Sequence, residues 1–202
     1  TTASRAQRRT RPPGRQPDKK PEPDRLIQPT DITLARTYYK LICRVNGVDA
    51  FLLWFTDEQD GLIATPDERV FCFTSEAALV DYAKKIAVEV SEHRPVLHDL
   101  DAVQVWARTP SPETVDCRKL LLAWNFFLDL ARSTPARAQA FVKAEANLAT
   151  LYDKLFLGSN PAPRESEARH SVPEWTETEV ARLATVMLRG LELVQSALLQ
   201  AT

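Results

Sequence analysis

The side chains of this 202-residue chain that could do chemistry fall into a few short stretches. Asp57, Glu58 and Asp60 place three carboxylates in four residues, just before Gly61. Such a loop could bind a cation, act as acid and base, or meet a basic partner. The alternating ligands and closing glutamate of a calcium loop are missing. A solvated turn accounts for the same residues through the backbone preferences of Asp and Gly. His98 with Asp99 and Asp101, near His93, holds the groups that a proton shuttle or a metal site requires. No HxH, HxxxH or HExxH spacing accompanies them, and no GxSxG turn supplies a nucleophile. Helix capping is the better explanation of the two aspartates.

Other chemistries are excluded more firmly. Five glycines in the whole chain form neither GxGxxG nor GxxxxGK[ST], so no loop cradles a phosphate. Cys43, Cys72 and Cys117 are odd in number, lie in apolar segments and form no CxxC. They read as reduced, buried thiols rather than a disulfide framework or a zinc site. Neither a catalytic residue, a metal nor a cofactor is expected. Of the tryptophans, Trp54 and Trp124 fit core-facing patterns, and Trp175 precedes a helix start as a hydrophobic staple toward Val180.

The elements that must position these groups follow from periodicity. Asp116–Ser133, DCRKLLLAWNFFLDLARS, carries Leu120, Leu121, Trp124, Phe127, Leu128 and Ala131 at i, i+3, i+4 spacing. Leu122, Phe126 and Leu130 add a second apolar stripe, so this helix needs partners on more than one side and belongs at the centre of the core. Asp116 is its N-cap. Asn125 and Asp129 are its polar exceptions, on one face at i, i+4. Upstream, two β-rich runs flank Asn46-Gly47, a strong hairpin signal. Short runs at 62–64 and 70–73 extend it to an antiparallel meander over about 37–73. Helices are expected from a Thr74 or Ser75 cap to about 87, from Asp99 to about 107, from Thr134-Pro135 to Gly158, and from the capping box Thr176–Glu179 to about Gln200. The fold class is therefore α+β, a small N-terminal antiparallel meander packed on a C-terminal helical bundle, with residues 30–202 as one domain.

Charge is unevenly spread. Residues 1–25 hold eight basic and three acidic side chains, and the remaining 177 hold 18 basic and 24 acidic, so a basic arm precedes an acidic body. Residues 1–29 contain six of the 14 prolines and almost no apolar side chain, a composition expected to stay disordered. The arm could meet nucleic acid or an anionic surface, or serve only as a linker. The longest apolar run, Ala50–Phe55, is far short of the ~20 residues a bilayer span needs, and no leader-like apolar region is visible near the start.

Several segments, in this order and spacing, resemble bacterial immunity proteins of contact-dependent inhibition and polymorphic toxin systems. They are LLWFTDEQDGLI (52–63), DLDAVQVWARTPSPETVDCRKLLLAWNFFLDLARS (99–133), LYDKLFLGSNPA (151–162) and VPEWTETEV (172–180). Leu157 and Ser159 depart from that pattern, and the Arg/Pro arm has no counterpart in it. The resemblance implies a non-enzymatic inhibitor that binds a cognate toxin domain, a protein partner, in the cytoplasm of the producing cell. An acidic body suits a basic toxin face. The expected partner-binding surface is Asp57, Glu58 and Asp60, joined by Glu165 and Glu167. Two other classes compete: a small hydrolase-like enzyme using His98 with Asp99 or the Asp57 loop, and a nucleic-acid-binding accessory protein using the arm.

Overall fold

The computed structural model describes residues 36–159 and 173–200. The basic arm and the loop carrying Glu165 and Glu167 lie outside the described residues. Strands β1 (Thr37–Val45) and β2 (Val48–Thr56) form the expected hairpin, with Asn46 at φ 54° and Gly47 at φ 75° as its primed turn demands. Asp101 locks that turn, its carboxylate accepting from the N–H groups of Asn46 and Gly47, each at 2.7 Å. The aspartate read as a helix cap is thus a hairpin clamp. Asp99 does cap a helix, accepting from Ala102 N.

Beyond the hairpin the strand order departs from a simple meander. Strand β3 (Gly61–Leu62) adds to β2, but β4 (Val70–Cys72) leaves the sheet and runs parallel to a C-terminal strand, β6 (Leu198–Gln200). Phe73 then rejoins β2 through two 2.9 Å bonds with Phe51, so residues 64–72 bulge outward. The bulge is held by Arg137. Its guanidinium donates to the carbonyls of Asp67 and Glu68, where Glu68 turns the chain at φ 57°. On the opposite edge, β5 (Leu97–Asp99) pairs parallel with β1, giving a mixed sheet of order β3-β2-β1-β5. Three residues running directly into a helix cap carry too little alternation to be read as a strand.

The sheet is covered on both faces. Helix α1 (Glu76–Lys85), capped by Ser75, packs Leu79 and Ala83 on Tyr38, Leu53 and Phe73. The other face, with Leu41, Cys43 and Leu52, meets α2 (Leu100–Arg108), α3 (Cys117–Ser133) and α6 (Glu177–Ala197). Helix α3 is the core element its two apolar stripes require, with Trp124, Phe126, Phe127 and Leu130 fully enclosed. Each such side chain contributes roughly 1.5–3 kcal/mol through burial.

Four helix expectations are corrected. Thr134 is the C-cap of α3, its hydroxyl donating to the Leu130 carbonyl, and does not start the next helix. The long helix expected to Gly158 is two, α4 (Gln139–Glu145) and α5 (Ala149–Ser159), broken where Asn147 takes φ 65°. Gly158 lies inside α5, not beyond it, and is glycine for packing: a Cβ there would come within 2.6 Å of Cys117 Sγ. Helix α6 stops at Ala197, where the chain becomes β6.

Candidate functional site

Helix α3 runs across the strands, and that crossing builds the site. At one end the Ser133 hydroxyl accepts from Leu62 N of β3 at 2.8 Å. One turn back, Trp54 Nε1 of β2 donates to Asp129 Oδ2 at 2.9 Å. At the far end, His98 of β5 donates from Nδ1 to the Leu122 carbonyl at 3.2 Å, and its ring lies 5.5 Å from Phe126. From Leu122 to Ser133 a helix rises about 16 Å, close to the roughly 14 Å that separates the first and last of four strands. Between helix and sheet lies a cleft of about 510 Å³.

The sheet wall of the cleft is aromatic. Trp54 and Tyr39 face each other across the β1–β2 ladder with ring centroids 5.3 Å apart, and His93 approaches Tyr39 at 6.2 Å. The helix wall is polar. Asn125 Oδ1 accepts from the Tyr152 hydroxyl of α5 at 2.7 Å, and Asp129 Oδ1 accepts from Arg132 Nη1 at 2.6 Å. Burial pushes the Asp129 carboxyl above the usual carboxylate range, against the opposing pull of Trp54 and Arg132. Charge is ordered along the cleft by the strand order. Asp60 and Asp129 stand at the β3 end with the one Arg132 guanidinium for two carboxylates, and Arg94 stands at the β5 end.

The residues expected from sequence are divided by this geometry. Asp57 bonds Arg36 Nε at 2.6 Å and the Gln59 N–H at 2.8 Å. Both hold its carboxyl below the usual range, and Arg36 lies over the Phe55 ring at 4.1 Å. Glu58 is exposed beside it. Asp60 turns inward, lining both the cleft and a shallow pocket of about 450 Å³ formed by the acidic loop. His98 and His93 reach the cleft, but Asp99 and Asp101 are spent on the α2 cap and the hairpin, so the expected His/Asp constellation does not assemble. Burial lowers the pKa of His98, which keeps the imidazole neutral.

Sequence reasoning missed Asp129 and Trp54. The signal was the pair of polar residues interrupting α3 at i, i+4. Trp54, assigned to packing, is half-buried and forms part of the cleft wall, whereas Trp124 is fully enclosed as expected. Among the described residues, no serine, threonine or cysteine lines the cleft, and no three His, Cys, Asp or Glu side chains converge on a metal position. Cys43 is buried, its thiol pushed up to about 12. The arrangement is equipped to hold a charged or planar group.

No family model matches the chain, and no curated protein matches it. Among solved structures, it is similar to the crystal structure of the SatS C-terminal domain in complex with bromine, at 17% identity and a TM-score of 0.50, over 81% of this chain and 94% of that chain. At that identity the likeness concerns the fold alone.

Proposed function

We propose that this protein is a binding protein without catalytic activity, an immunity protein that blocks a cognate bacterial toxin domain. The observation that carries the reading is the continuity of the acidic loop with the aromatic cleft through Asp60, which lines both. An exposed charged rim beside a partly desolvated aromatic centre is how tight protein interfaces are built: rim charges steer encounter, and aromatic anchors hold the complex. The hydrogen-bonding groups of the cleft also support it, since Asp129, Asn125 and His98 Nδ1 are each engaged within the protein.

Glu58 is the residue on which to test this. Unlike Asp57, it has no partner among the described residues, so reversing it leaves the loop intact. With the C-terminal domain of a toxin encoded immediately upstream as partner, Glu58→Lys should slow association about threefold or more at low ionic strength, with the difference closing in high salt. Failure to co-purify with that domain, or an association rate indifferent to Glu58, overturns the reading.

A hydrolytic reading has one observation behind it: His98 and Asp129 line the same cleft. It requires turnover of an ester or amide substrate that His98→Ala abolishes. The nucleic-acid reading rests on the basic arm, outside the described residues; its measure is the salt slope of binding with and without residues 1–25. Among the described residues, no helix is long and apolar enough to cross a membrane.

A further inference from the structure

The β3 end of the cleft combines three features. Its wall is the Trp54–Tyr39 aromatic pair. Its floor is Asp129, of whose two oxygens one accepts from Trp54 and the other from Arg132, leaving each with a further lone pair. Its lip is Asp60, which has no partner among the described residues and lines the same cleft as Asp129, whose carboxyl its charge helps to raise. Two carboxylates and one guanidinium leave this end with one uncompensated negative charge. A cation brought here would relieve the Asp60–Asp129 repulsion and meet an aromatic face at the same time.

We propose that the cleft receives an arginine side chain of the protein partner, its guanidinium seated between Asp60 and Asp129 against the Trp54–Tyr39 wall. Guanidinium suits the place better than ammonium, because it is planar, stacks on indole, sheds water more readily and offers five donors to two carboxylates. The opposite end, with Arg94, disfavours a second cation and so sets the direction in which the partner chain lies. This deepens the binding-protein reading by naming the group that is bound.

The test needs no toxin, so it can fail independently of that reading. The full chain, labelled with ¹⁵N, is titrated with the capped peptides acetyl-Gly-Arg-Gly-amide, acetyl-Gly-Lys-Gly-amide, acetyl-Gly-Glu-Gly-amide and acetyl-Gly-Leu-Gly-amide. The Trp54 indole N–H resonance, assigned with Trp54→Phe, is the reporter because it is bonded to Asp129. The arginine peptide should shift it saturably, the lysine peptide more weakly, and the other two not at all. Asp60→Asn and Asp129→Asn, each keeping a hydrogen-bond acceptor, should weaken the arginine peptide about fivefold or more, with resonances remote from the cleft unchanged. An unmoved Trp54 resonance, a stronger response to the glutamate peptide, or binding of the arginine peptide by the two variants equal to that of the unmodified protein would overturn the proposal.

Discussion

Asp129 is the residue where recognition and stability conflict. Its carboxylate is withdrawn from water on the inner side of a cleft, and two donors only partly offset that burial. The sign of its pH effect follows from linkage. With the folded-state pKa raised, the folded protein holds the proton to higher pH than the unfolded chain does. Stability therefore falls as pH rises from the ordinary aspartate range through the raised value. Asp129→Asn removes that fall and keeps an oxygen to accept from Trp54. Its unfolding midpoint at neutral pH should equal or exceed that of the unmodified protein, and the slope of stability against pH across the weakly acidic range should flatten. Chemical denaturation at several pH values reads both. A variant that loses stability at neutral pH would show that Asp129 is a structural anchor and not a group held ready for a partner. Half of this was legible in the sequence, where Asn125 and Asp129 interrupt an apolar helix on one face. The other half was not, because the donor, Trp54, is 75 residues away in a strand whose alternation alone assigns it to the core.

At the scale of elements, the crossing of α3 over the strands depends on close packing behind it, where α6 presses Gly190 against Phe127. A methyl group at position 190 would overlap the Phe127 ring, which is fully enclosed and has nowhere to move. Gly190→Ala should cost roughly 3 kcal/mol through overpacking, lowering Tm by about 6–12 °C. Adding Phe127→Leu should recover part of the loss. A thermal melt of the single and double variants decides it, and an unaffected Gly190→Ala would mean that α6 does not bear on α3 here. Helix starts were readable because Ser75, Asp99, Asp116 and the Thr176–Glu179 box each make the side-chain-to-backbone bond their type implies. The break between α4 and α5 was not, since AEANLAT contains good helix formers and only Asn147, in the left-handed region, marks it. Thr134-Pro135 misled because a buried threonine bonded back to Leu130 ends a helix as readily as an exposed one begins it.

For the whole molecule, the last described strand closes on the middle of the chain, away from the cleft. The β4–β6 ladder joins the C-terminus to the bulge after β3, and Arg137 spans both by donating to the carbonyls of Asp67, Glu68 and Ser196. This closure was invisible in the sequence because each strand has three residues and the pairing is parallel and distant, so no local alternation or turn announces it. None of the residues that line the cleft belongs to β4 or β6. Closure and recognition should therefore separate. Truncation after Ala197 removes the ladder and two half-buried leucines, Leu198 and Leu199. It should lower stability by roughly 3 kcal/mol and expose the β4 amides to hydrogen exchange. The response of Trp54 to the arginine peptide should persist at temperatures where the truncated chain is still folded. Loss of that response in a chain that still unfolds cooperatively would mean that the sheet face is not rigid on its own. The strand order β3-β2-β1-β5, which here sets the acidic and basic ends of the cleft, would then depend on the C-terminal strand as well.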